Sequence, residues 1–367
     1  MTKLLTVMRS AFLPIFFLAL AFTACEGPKG ADGATGATGP QGPQGPAGPS
    51  GAQQCGVCHN NSTLLFAKQS EWAQSLHGTG EMYVYGNQSN CAYCHTSQGF
   101  LEYNQTGVTP VTGAPYSDPA TINCRTCHNV HTNYDSTDWG LKRTVPVAFY
   151  AAKVASADLG KGNLCGQCHQ ARPSSTPIDL TNPDATISIT DMRLGAHHSP
   201  AANVFTGSLQ FVPNGNATVP TSNYHSMVKD ACVTCHMADT YVAHGQATGG
   251  HTFKTVSDDG TIFNTNACKA CHTEVTNLTN FNQIGSGFTD QFQTDMDSCA
   301  TVMIAKGWMT ASKNWNASSS KPLVVTQNQA AAMYAYNALQ EDKSKGVHNP
   351  KYARAVLDNI MHVLGIK

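Results

Sequence analysis

Residues 124–131 read Cys124-Arg125-Thr126-Cys127-His128-Asn129-Val130-His131, and this stretch decides how the rest of the chain is built. Its first five residues are two cysteines separated by two positions and followed at once by histidine. The pattern returns at Cys55-Cys58-His59, Cys91-Cys94-His95, Cys165-Cys168-His169, Cys232-Cys235-His236 and Cys268-Cys271-His272. Chance would supply on the order of 0.02 copies at this composition, so six are no accident. Two intervening residues make one tight turn that aligns both sulfurs for thioether bonds to one haem, and the next residue swings its imidazole under the iron. Zinc ribbons and structural disulfides also use paired cysteines, but neither requires a histidine directly after each pair. The motifs therefore predict six covalent c-type haems. Cys55, Cys58, Cys91, Cys94, Cys124, Cys127, Cys165, Cys168, Cys232, Cys235, Cys268 and Cys271 are the thioether donors, and His59, His95, His128, His169, His236 and His272 the proximal ligands.

The composition fits a chain built around a cofactor. Of 367 residues only 12% are charged and the net charge is −1, while 14 are Cys and 15 are His. A chain without a basic field is not a nucleic-acid binder. Nine histidines remain after the proximal ligands, enough to give every iron a second imidazole. His131 lies three residues beyond His128 and cannot reach the far side of the haem that His128 holds, so it is expected to ligate a neighbouring iron. His77, His225, His251 and His348 are the other expected distal ligands, together with one of the pair His197 and His198, for which His198 is chosen. His251 follows Gly249-Gly250, which allow close backbone approach to a flat group. His362 is read as a surface or packing residue, the role of His244 is left open, and Cys299, which has no paired cysteine, is read as a small buried hydrophobe.

Outside the motifs, residues 1–24 read as an export leader, with Lys3 and Arg9 ahead of the apolar run Ala11–Phe22. Phe22-Thr23-Ala24-Cys25 resembles a bacterial lipobox, which would make Cys25 a lipidated N-terminus; simple cleavage near Ala24 is the alternative. From Gly27 to Gln53, within a segment drawn as 25–54, glycine recurs at every third position, as in collagen. It reads as an extended stalk, with a trimerising triple helix as the competing reading. Residues 55–285 are assigned to a six-haem domain and 286–367 to a C-terminal helical segment packing on the haem array. The expected fold is mainly short α-helices and irregular loops wrapped around closely packed haems, ending in a helical hairpin. Helices are predicted over 64–76, near 289–310 and over 350–364.

The six motifs, Cys127-His128-x-x-His131, the Trp72-x-x-Ser75-x-His77 element ahead of Cys91–Phe100, and the run Asp342–Pro350 followed by Tyr352 resemble the bacterial multihaem cytochrome c superfamily. The last element is similar to one in pentahaem nitrite reductases and their octahaem relatives, where its histidine is a distal ligand; this implies the same role for His348. A collagen-like run after a lipobox is also similar to bacterial surface lipoproteins. The resemblance implies an electron carrier with no catalytic residue of its own, exported and lipid-anchored, at an outer membrane and facing the cell surface or the periplasm. Its partners would be other redox proteins or cytochromes, a membrane reached through the lipid, and an external mineral or electrode. Two alternatives stand beside it: a reductase of nitrite, hydroxylamine or a sulfur oxyanion with one open-coordination haem, and a subunit of a homotrimer or conductive filament. The reductases usually carry their catalytic haem on a motif ending in Lys, whereas all six here end in His.

Overall fold

The computed structural model describes residues 56, 59, 63–220 and 224–367; the leader, Cys25, the glycine repeat, Cys55 and Cys58 lie outside the described residues. Regular structure is sparse as far as residue 277. Helices α1 (Thr63–Ala73), α2 (Leu76–Thr79), α3 (Ser89–His95), α4 (Ser97–Thr106), α5 (Cys124–Cys127), α6 (Asn163–Gly166), α7 (Ala201–Phe205) and α8 (Cys232–His236) are short. The six short strands form three antiparallel ribbons: β1 (Val147–Ala148) with β2 (Ser156–Ala157), β3 (Thr186–Ile189) with β6 (Leu323–Thr326), and β4 (Tyr241–Ala243) with β5 (Gln246–Thr248). The second ribbon runs from Thr186 opposite Thr326 to Ile189 opposite Leu323 and ties the middle of the chain to its end.

Three longer helices close the chain: α9 (Leu278–Ala305), α10 (Gln327–Asp342) and α11 (Pro350–Leu364). Each start carries its own stop for the orphan N–H groups. The Asn277 side chain accepts from Asn280 N, Thr326 and Gln329 form a reciprocal capping box, and Asn349 accepts from Tyr352 N with Pro350 in the first turn. Along α11 the buried residues Ala353, Val356, Leu357, Ile360, Met361 and Leu364 recur at three- and four-residue steps, the stripe of a helix with one inward face. Helix α10 is instead buried over most of its circumference, and Ala330, Ala331, Ala332, Ala335 and Ala338 let neighbouring backbones come close. Arg354 on α11 bridges to Asp295 on α9 at 2.7 Å.

The main hydrophobic core gathers these helices with Trp308, Trp315 and a set of residues between Ala151 and Val212; among the described residues nothing ahead of Ala151 belongs to it. Cys299 is fully buried in it, as expected of a lone cysteine. The loop that carries His169 is braced against this core by the buried Asn203, whose Oδ1 accepts from Ala171 N at 2.7 Å while its Nδ2 donates to Ala151 O at 2.9 Å. Helix α9 begins at Leu278 and ends at Ala305, earlier at both ends than the sequence pattern implied. Among the described residues no helix is long and apolar enough to cross a membrane.

Candidate metal centres

Each of the five described CxxCH motifs is one helical turn. His128 N donates to Cys124 O at 2.8 Å, His169 N to Cys165 O at 3.0 Å and His272 N to Cys268 O at 2.9 Å, while the motifs at 91–95 and 232–236 lie within α3 and α8. That turn places both thiols on one side and sends the imidazole off its end. Asn123 starts the Cys124 turn with a capping box closed by Thr126. None of the described cysteines forms a disulfide.

The histidines then fall into pairs. His59 faces His131 with ring centres 6.3 Å apart, His95 faces His197 at 6.4 Å, and His128 faces His251 at 6.1 Å. His169 faces His77 at 6.0 Å, His236 faces His348 at 6.1 Å, and His272 faces His225 at 6.1 Å. Every motif histidine thus meets one histidine from elsewhere in the chain. A metal–imidazole bond of about 2.0 Å, extended by roughly 1.1 Å from nitrogen to ring centre, puts two imidazoles trans across one metal with centres roughly 6.2 Å apart. All six separations lie within 0.2 Å of that value.

The rings are held so that the right nitrogen faces the gap. His128 Nδ1 donates to Trp139 O at 2.7 Å, His236 Nδ1 to Phe253 O at 2.9 Å, and His225 Nδ1 to Val347 O at 2.6 Å. A carbonyl only accepts, so these rings carry their proton on Nδ1 and present the Nε2 lone pair, the tautomer a metal needs. His348 Nδ1 donates in the same way to Asp342 Oδ1 at 2.6 Å, and His169 Nδ1 lies 2.6 Å from Ser199 Oγ. Burial favours the neutral form of several of these imidazoles. It lowers His77 and His95, brings His169 down to about 3 with help from neighbouring His77, His236 and His348, and brings His197 down to about 4 with Arg172 adding to the effect. His236 and His251 are lowered by burial as well. His348 runs the other way: burial acts to lower it, but Asp342 raises it. Metal binding asks for unprotonated ligands.

The surroundings suit a large flat apolar group. Tyr85, Tyr134 and Trp139 are 40%, 52% and 41% exposed in the polypeptide, yet each lies in ring contact with a paired histidine: His95, His131 and His128 respectively. These aromatics offer flat surface beside three of the pairs. Together with the imidazole spacing at all six, the residues fit haem. Gly250 (φ 53°) shows how closely the chain wraps: a Cβ there would fall 2.4 Å from Glu71 Oε2, whose oxygen accepts from His251 N at 2.9 Å.

The five expected distal residues His77, His131, His225, His251 and His348 each stand opposite a motif histidine. His198 does not. Its side chain is 74% exposed and its Nδ1 pairs with Glu341 Oε2 at 3.0 Å, while its neighbour His197 turns inward to His95. The two rings stay in contact, with centres 4.8 Å apart, but the left-handed backbone at His197 (φ 64°) sets its ring, and not that of His198, against His95. The assignment accordingly moves from His198 to His197. His244 is exposed, and His362 lies beside Asn216 Nδ2 at 3.1 Å, away from every pair.

Residues that the sequence reading did not single out complete the sites. Phe253, a bulky residue in the left-handed region (φ 58°), places its ring 4.9 Å from His77 and 6.0 Å from His251 while its carbonyl holds His236. One residue thereby touches three pairs. Thiols also meet across motifs: Cys94 with Cys168, and Cys165 with Cys232.

No family model matches the sequence, and no curated protein matches it. Among solved structures, the outer cell wall cytochrome OcwA is similar over 81% of this chain and 50% of its own, at 19% identity and a TM-score of 0.46. An undecahaem cytochrome from the S-layer of Carboxydothermus ferrireducens is similar over 78% of this chain and 40% of its own, at 19% identity and a TM-score of 0.45. The chain spans at most half the length of either structure.

Proposed function

We propose that this chain is an exported electron-transfer protein holding six c-type haems, each bound by its motif cysteines and by two histidines. The observation that carries the reading is the set of six histidine pairs, each joining one motif histidine to one other at 6.0 to 6.4 Å. When bound, the haem irons supply reversible one-electron chemistry. The chain's own residues orient the imidazoles through their Nδ1 partners and hold neighbouring pairs in contact through Phe253 and the adjoining motif turns. With two imidazoles to hold each haem, no site would offer a substrate a place to bind, which favours a carrier over a reductase.

On this reading Cys25 carries lipid, residues 25–54 space the haem region from the membrane, and residues 286–367 pack against it. Electrons pass from a membrane redox partner or another cytochrome to an acceptor outside the cell, such as a mineral or an electrode.

Haem content and electron paramagnetic resonance of the oxidised holoprotein test the core of this. Six haems per chain with only low-spin signals are expected; a stoichiometric high-spin signal that shifts when nitrite is added would overturn it in favour of the reductase. Incorporation of labelled palmitate, abolished by Cys25→Ser, tests the anchor.

A further inference from the structure

The second contacts of the paired histidines are unequal, and one stands apart. His128, His225 and His236 give their Nδ1 proton to neutral backbone carbonyls, and His169 lies against a serine hydroxyl. Three carboxylates sit near other pairs without bonding to a paired ring. Glu341 reaches the His95/His197 pair only through His198, whose Nδ1 it meets at 3.0 Å and which is 74% exposed. Glu274 lies 3.6 Å from His272 Nδ1 and is 62% exposed, so water screens it. Glu71 lies 3.6 Å from His251 Nδ1, but its charge is shared with Lys68 Nζ at 2.9 Å and its oxygens take Thr240 Oγ1 and His251 N.

At His348 the arrangement differs in kind. Asp342, its side chain 1% exposed, accepts directly from His348 Nδ1 at 2.6 Å. Its other oxygen accepts from Ser344 Oγ, and that hydroxyl in turn accepts from His348 N at 3.3 Å, so carboxylate, serine and histidine form a closed ring within the 342–348 turn. The turn is fixed by Lys343, Lys345 and Gly346, all in the left-handed region, with Gly346 packed so closely under Phe288 and Phe292 that a Cβ would fall 3.0 to 3.1 Å from their rings.

We propose that Asp342 is a positioning residue that makes the His236/His348 centre the most reducing of the six, a step that rests on the six-haem reading above. A buried carboxylate accepting the Nδ1 proton raises the donor strength of Nε2 toward a metal. A stronger donor, with a negative charge close behind it in a poorly screened interior, favours iron(III) over iron(II). The step is a single electron passing from iron(II) at this centre to a one-electron acceptor, the redox mediator in the titration below, to give iron(III), with the proton staying between His348 and Asp342. Ser344, by donating to the same carboxylate, withdraws part of that charge and moderates the effect. The carboxylate and the serine therefore act in opposite directions on one centre.

Potentiometric titration of the holoprotein, followed by its low-spin resonance signals, tests this. Asp342→Asn keeps shape and volume and should move the lowest of six one-electron steps positive. At fixed potential its oxidised-to-reduced ratio should fall about tenfold, equivalent to about 59 mV for one electron. Ser344→Ala should move the same step negative by less. A role limited to holding the ring would not give shifts of opposite sign. If the Asp342 variant fails to load haem, the sign of the Ser344 shift decides alone. The proposal is overturned if the lowest step stays in place, if both variants move it the same way, or if Asp342→Asn turns one centre high-spin. A wild-type haem content other than six overturns the underlying reading instead.

Discussion

The helices beyond Leu278 and the motif-bearing stretch before it bury apolar surface by different means. In the first, Tyr334, Met333, Leu357 and Ile360 are fully buried and pack against one another and against Phe292 and Met303. In the second, the largest purely side-chain cluster among the described residues ahead of Ala151 consists of Ala92, Tyr93, Phe100, Tyr103 and Val111, and large residues such as Phe66, Met82 and Trp139 stay exposed, Trp139 in ring contact with His128. One region is closed by side chains packing on one another, and the other is organised by its six histidine pairs. The lesson is that apolar side chains explain the first region, whereas imidazole spacing explains the second.

Withholding haem is the strongest way to break the comparison. Protein produced without haem attachment should lose hydrogen-exchange protection over 63–150 and 225–272, while amides of 330–361 and of the 186–189 strand stay protected, as measured by mass spectrometry. Protection retained in both regions would mean that the motif stretch does have a core of its own. The next effect is confined to one centre. His197→Ala should convert one haem in six to high spin, and His198→Ala none; the reverse result would restore the assignment made from sequence.

A smaller effect sharpens the other side. Leu357→Ala should destabilise the helical region by about 2–5 kcal/mol in denaturant unfolding, with the visible haem spectrum unchanged. The smallest concerns how the motif stretch holds its loops. Glu102 accepts from Thr112 N, Gly113 N and Tyr116 OH, and although what burial it has acts to raise its pKa, these hydrogen bonds outweigh it and hold the carboxyl below its ordinary value of 4.5. A depressed pKa stabilises the fold above the unfolded value, and that contribution disappears as pH falls through the folded one. Wild type should therefore lose protection in 107–116 in acid below pH 4.5, and Glu102→Gln should remove this pH dependence.

What was legible in the sequence follows from which interactions are local. A CxxCH turn is complete within five residues, so its geometry can be read directly. Helix Pro350–Leu364 was legible too, from its proline start and apolar stripe. Pairing was not, because the partners are far apart in sequence: His77 meets His169, and His348 meets His236. The choice between His197 and His198 was out of reach for another reason. Adjacent histidines have the same composition and neighbours, and only the backbone turn at Gly195–His197 separates them. Phe253 gave no signal, since a phenylalanine at positive φ is recognisable only from coordinates. Asp342 lay inside the run already noted around His348, but a separation of six residues says nothing until the turn between them is known.

The direction of the pairings carries a consequence for synthesis. His169 and His272 find their partners, His77 and His225, already made when they emerge. His59, His95, His128 and His236 must each wait for a residue still to come. The longest delay but one ends last: His236 stays half-complete until His348 appears, after α10 has been translated and just before α11. The C-terminal helices thus act as the closing event of assembly, and a chain truncated ahead of residue 348 would carry every motif yet leave one centre permanently open.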